Sequence, residues 1–124
     1  GEEWEPPAGT AAAGRPAKAT DRRPLVLRVD RSVRLTSKRF TGRYRVDEDA
    51  RTSLEIWVNG RLIAFDGYLQ RAGTHRIRTD LLPEGQAILR RARKGGRRVR
   101  LVWRVVAHDP AGNKTATSLR RAIR

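Results

Sequence analysis

Residues 97–113 read RRVRLVWRVVAHDPAGN. Taken alternately, Val99, Leu101, Trp103, Val105 and Ala107 fall on one face, and Arg98, Arg100, Val102, Arg104 and Val106 on the other. That is the period of a long strand with one buried and one basic, solvated side. The strand runs into Asp109-Pro110-Ala111-Gly112-Asn113, where each residue type has a reason to turn. Asp bonds the backbone two residues on, Pro sets φ, and Gly and Asn tolerate positive φ. Residues 115–123 return as a partner strand. A long hairpin with one apolar face needs a second sheet to cover it.

The preceding residues supply one. In 24–30, PLVLRVD, Leu25, Leu27 and Val29 alternate with Val26, Arg28 and Asp30, and 32–40 reads as a second short strand with Val33, Leu35 and Phe40. Residues 42–46, GRYRV, place Tyr44 and Val46 on one face, and Asp47-Glu48-Asp49 forms an acidic turn. In 52–58 Leu54, Ile56 and Val58 face in, while Ser53, Glu55 and Trp57 face out. Asn59-Gly60 follows, the strongest short hairpin signal, because a type I′ turn needs positive φ twice. Residues 61–65 return, with 68–70 as an extension beyond Asp66-Gly67. In 74–81 His75, Ile77, Thr79 and Leu81 oppose Arg76, Arg78 and Asp80.

Residues 82–94 abandon the strand period. Pro83 suits a first helical turn, Glu84 the positive end of the helix dipole, and Arg90, Arg91, Arg93 and Lys94 its negative end. Ile88, Leu89 and Ala92 make a small apolar face that Gly95-Gly96 ends. A helix of two to three turns is predicted over one end of the sheets. The whole reads as all-β: an antiparallel sandwich of about seven strands with one short helix.

Two segments divide the chain. Residues 24–124 form the sandwich, and residues 1–23, GEEWEPPAGTAAAGRPAKATDRR, read as an extended N-terminal arm. The arm is acidic around Trp4 (Glu2, Glu3, Glu5) and then rich in Ala, Gly and Pro, with little apolar periodicity. The chain has no cysteine, which excludes disulfides, thiol catalysis and thiolate metal sites. It has no methionine, even at position 1, and no apolar run long enough for a signal h-region or membrane span. A processed, exported product is expected. The net charge is +15, with 24 arginines to 4 lysines; polyanions are the partners such a balance attracts. Arginine is spread over every strand, so a generically basic surface also accounts for the charge.

The stretch RRVRLVWRVVAHDPAGNKTATSLRRAIR resembles the end of bacterial immunoglobulin-like and fibronectin-III-like domains, with their long strand, Asp-x-Ala-Gly-Asn turn and closing strand. The Asn59-Gly60 hairpin, RAGTHRIRTDL and LPEGQAILRRARKG add to the resemblance. It departs from antibody domains in lacking their inter-sheet disulfide, and its inward tryptophan is Trp103 on the late strand. The resemblance implies a non-catalytic spacer, adhesive domain or surface-polymer subunit.

His75 falls on an inward face and fits a core histidine better than a general base; His108 borders a turn. No nucleophile elbow, H-E-x-x-H, Walker loop or dinucleotide fingerprint occurs, so neither catalysis nor a cofactor is implied. Asp47, Asp49, Asp109 and Asn113 are loop oxygen donors that could meet a calcium ion, though Asp and Asn are also turn formers. The densest basic run is Arg90-Arg91, Arg93-Lys94, Arg97-Arg98, without the aromatic interleaving that single strands stack on. Two functional expectations follow. The first is a non-catalytic extracellular structural or adhesive module, the repeating subunit of a cell-surface filament. It joins copies of itself through the arm, with Trp4 and outward Trp57 as anchors and Glu2, Glu3 and Glu5 meeting arginines. The second is a binding module holding anionic polysaccharide or nucleic acid on Arg76, Arg78, Arg98, Arg100 and Arg104.

Overall fold

A computed structural model describes residues 25–96 and 98–123. The elements are β1 (Leu27–Val29), β2 (Arg34–Leu35), β3 (Arg39–Val46), β4 (Ala50–Val58), β5 (Arg61–Gln70), β6 (Gly73–Asp80), α1 (Pro83–Lys94), β7 (Val99–His108) and β8 (Lys114–Ile123). They build two antiparallel sheets. In the first, β3 lies between β6 and an edge made of β1 and β2; the second runs β5-β4-β7-β8.

The hairpin read from residues 97–113 closes the second sheet. Trp103 faces Leu119 of β8 and Ile56 of β4, and Val99, Leu101, Trp103, Val105 and Ala107 are all buried. The Asp109 carboxylate fastens the turn, accepting from the Asn113 backbone N–H and side-chain amide at 2.8 Å each. Gly112 takes φ 91° there. At the other hairpin Asn59 (φ 49°) and Gly60 (φ 80°) adopt the predicted left-handed pair.

Three local readings are corrected. Residues 39–46 form one continuous strand, where the sequence read two. Its inward residues are Phe40, Gly42, Tyr44 and Val46, and the glycine is required: a Cβ there would lie 2.6 Å from Trp103 Cη2. The 32–40 strand shrinks to β2. Continuing the β1 register would set Arg34 opposite Arg39, but it stands opposite Thr41, so two residues are looped out of the edge. Third, β5 passes straight through Asp66-Gly67. Asp66 satisfies itself locally, accepting from the Gly67 N–H and the Tyr68 hydroxyl at 2.8 Å each. The β4–β5 register slips at Ile56/Trp57, so adjacent Ile63 and Ala64 are both buried, as a β-bulge allows.

The core is aromatic at its centre. Trp103 lies between Phe40, edge-on at 5.1 Å, and Tyr44, stacked at 6.4 Å. Each such ring, fully buried, contributes about 1.5–3 kcal/mol from desolvation. Helix α1 packs against β5 and β7, both in the second sheet, with Leu89 buried and Leu82 N–H donating to Ile63 O at 2.9 Å. Gly85 sits against the Ile63 carbonyl with no room for a side chain, which sets how closely the helix approaches β5.

Candidate polyanion-binding face

Inward Phe40, Tyr44 and Val46 leave Arg39, Thr41, Arg43 and Arg45 on the outer face of the first sheet. Strand β6 adds Thr74, Arg76, Arg78 and Asp80. The register sets Arg43 opposite Arg76, Thr41 opposite Arg78 and Arg45 opposite Thr74. On the far side Arg34 stands beside Thr41 and Arg28 beside Arg45. Same-face residues repeat about every 6.7 Å along a strand, and neighbouring strands lie about 4.8 Å apart. The result is a two-dimensional lattice of guanidinium groups, joined at one end by Lys38.

Two acids temper it. Arg39 Nε meets Asp80 Oδ1 at 2.9 Å. Arg43 holds Asp30 Oδ2 through Nη2 at 2.5 Å and Nε at 3.0 Å. The Ser32 amide, at 2.7 Å, and then the Arg43 guanidinium hold the Asp30 carboxyl below its ordinary pKa. Arg28, Arg34, Lys38, Arg45, Arg76 and Arg78 are all exposed and have no carboxylate partner among the described residues. A groove of about 940 Å³ crosses this face, floored by Thr41, Gly42 and Arg43 and walled by Arg34, Arg76 and Arg78. A hollow of about 310 Å³ beside Arg28 and Arg45 adjoins the same β1–β3 edge.

The arginines singled out from sequence divide between the two sheets. Arg76 and Arg78 stand in this groove. Arg100 and Arg104 lie on the outer face of the second sheet, with exposed Arg98 just ahead of β7. Arg104 lies 3.7 Å from Glu55. The structure therefore does not bring the five together. Arg28, Arg34, Lys38, Arg39, Arg43 and Arg45 escaped the sequence reading. For Arg39, Arg43 and Arg45 the signal was the alternation in RFTGRYRV, hidden by splitting that stretch into two strands. Of the basic run at the helix end, Arg93 donates to Leu35 O at 3.1 Å, while Arg90, Arg91 and Lys94 are exposed.

The outer face of the second sheet is mixed. Trp57 is half-buried in a row with Leu62 and Val102, and Phe65 and Leu69 are 58% and 55% exposed. Trp4, Glu2, Glu3 and Glu5 lie outside the described residues.

The calcium candidates serve turns. Asp47 Oδ1 accepts from Val26 N–H at 2.8 Å, Asp49 Oδ1 from Ala72 N–H at 2.9 Å, and Asp109 is tied to Asn113. Among the described residues no three His or acidic side chains are grouped to hold a metal. His75 is half-buried at the sheet rim, its Nε2 2.5 Å from Arg71 O and its ring edge-on to Tyr44; His108 is exposed. Among the described residues no helix is long and apolar enough to cross a membrane. The sequence matches no protein-family model and no curated protein.

Proposed function

We propose that this chain is a non-catalytic, extracellular immunoglobulin-like module that binds polyanions on the outer face of its first sheet. Strand connectivity supports the family reading. In immunoglobulin domains strands A, B and E share one sheet and C, F and G the other, and variable domains add C′ beside C. Here the β1–β2 edge, β3 and β6 occupy the first set, β4, β7 and β8 the second, and β5 the C′ place. One observation carries the binding reading: six basic side chains converge on one face without carboxylate partners among the described residues. Convergence on one lattice is what separates a binding face from a generally basic surface.

The test is elution from immobilised polyanion as salt rises. Arg76→Gln with Arg78→Gln is expected to elute at clearly lower salt than the parent. Arg100→Gln with Arg104→Gln, on the opposite sheet, should shift elution less, although it removes the same charge. Equal shifts would mean that net charge alone governs retention.

Exposed Phe65 and Leu69, on the same outer face of the second sheet as Trp57, favour a second reading, self-association into a surface filament, because such apolar groups anchor interfaces. The arm is the proposed connector. Light scattering of the full chain should then give multiples of 14.0 kDa, and removal of residues 1–23 should leave a folded monomer.

A further inference from the structure

We infer that the ligand of the first sheet's groove is a sulfated linear polysaccharide, lying along β3 and β6; the inference rests on the polyanion-binding reading and specifies its chemistry. Nucleic acid offers bases as well as charge, and proteins that hold single strands meet those bases with aromatic faces. This groove has none. Phe40 and Tyr44, the aromatic residues of β3, point into the core and are buried. Between the cations the lining is hydroxyl-bearing instead: Ser32, Thr41 and Thr74. Duplexes are read by a helix or ribbon that enters a groove, whereas here the protein surface is itself the concave partner.

The cations suit sulfate. They are arginines except for Lys38, and a guanidinium fork matches a tetrahedral oxyanion through two parallel N–H donors. The cross-strand pair Arg28 with Arg45 sets like charges directly opposite each other, and Arg76 stands opposite Arg43, whose charge is shared with Asp30. A like-charge pair is unfavourable in an empty sheet, and an anion bridging it turns the repulsion into binding. An unbranched chain of sulfated sugars supplies anions and hydroxyls along one line, and β3 presents Arg39, Thr41, Arg43 and Arg45 in one outward row. Binding should also raise thermal stability, because it favours the folded state over the unfolded one.

The experiment uses the full chain, titrated calorimetrically at several salt concentrations with a size-defined heparin oligosaccharide and with single-stranded DNA of equal charge. The expected result is tighter binding of heparin, weakened about tenfold or more by Arg76→Gln with Arg78→Gln and within about twofold of the parent for Arg100→Gln with Arg104→Gln, with the salt dependence less steep by about two contacts for the first pair. Thermal melts of each variant confirm that it is folded and that heparin raises its midpoint less when the groove is neutralised. DNA binding as tight as heparin, with the same dependence on Arg76 and Arg78, would overturn the polysaccharide assignment and leave the polyanion face standing. Binding of either probe that ignores Arg76 and Arg78 would overturn both.

Discussion

Replacing Gly42 by alanine tests how the two sheets meet. A Cβ at residue 42 would stand 2.6 Å and 2.7 Å from two ring carbons of Trp103, and 3.0 Å from Phe40 Cε2. Carbon atoms in good contact lie about 3.5–4.0 Å apart, so the overlap is about 1 Å. The indole has nowhere to go, being fully buried between Phe40 and Tyr44. Gly42 does not have positive φ, so alanine fits the backbone and gains about 0.4–1 kcal/mol from a stiffer unfolded chain. Overpacking costs about 1–3 kcal/mol, and two rigid rings put this site at the upper end. The net expectation is a loss of about 2 kcal/mol. For a domain of about 100 residues that lowers the melting temperature by about 8–16 °C.

The decisive assay is a double-mutant cycle by urea denaturation, adding Trp103→Phe. The phenyl ring lacks the atoms that the new methyl strikes. It also loses no hydrogen bond, since Trp103 Nε1–H is buried without an acceptor. Trp103→Phe alone costs about 1–3 kcal/mol through the cavity it leaves. The double variant should be more stable than the sum of the two losses implies, by at least about 1 kcal/mol. An additive cycle, or a Gly42→Ala loss under about 0.5 kcal/mol, would refute the packing of Trp103 on Gly42.

Four further outcomes are expected. Tyr44→Phe removes a buried hydroxyl that bonds Thr52 Oγ1 at 2.6 Å and accepts from Gln70 Nε2 at 3.2 Å; urea titration should show a loss of about 1–2 kcal/mol. Burial first of all raises the phenol pKa of Tyr44, and of Tyr68, in the folded state. Stability should therefore hold up to the unfolded value near pH ~10 and fall as pH rises further through the folded values; replacing both by Phe should flatten that fall. Asn59→Ala loses a residue suited to φ 49° and the 2.9 Å bond from Arg100 N–H to its Oδ1. It should cost about 1–3 kcal/mol, and Asn59→Gly, which keeps the backbone conformation accessible, should cost less. Asp30→Asn breaks the Arg43 ion pair and releases that guanidinium to the groove, so the salt needed to elute the chain from heparin should rise; unchanged elution would place Arg43 outside the binding face.

The hairpin of β7 and β8 was legible because ten alternating residues specify a strand and its buried side without outside help, and Asp109, Gly112 and Asn113 announce the turn. Asn59-Gly60 and the Pro83–Lys94 helix were legible for the same reason: their signals are local. Residues 39–46 were not. Gly42 and Thr41 dilute the alternation, and the glycine is there because a tryptophan from the facing sheet fills the space, a cause that no window around residue 42 contains. The basic outer face of the first sheet suffered likewise. Alternation marks Arg76 and Arg78 as outward, but their proximity to Arg34 and Arg43 depends on cross-strand register, as does the separation of Arg100 and Arg104 onto the other sheet. Trp57 and Trp103 were told apart correctly because each sits in a strand whose apolar phase is unambiguous.

The glycine that admits Trp103 to the first sheet also makes that sheet thin at one point. Gly42 floors the groove on its outer side and touches the indole on its inner side, so a single peptide plane separates solvent from the ring. An indole's emission colour and yield respond to the electric field across it, and a sulfate settling over Gly42 changes that field with no side chain between. In a variant with Trp4 and Trp57 replaced by phenylalanine, the remaining tryptophan should therefore report groove occupancy directly, as a shift in intrinsic fluorescence that requires no added dye.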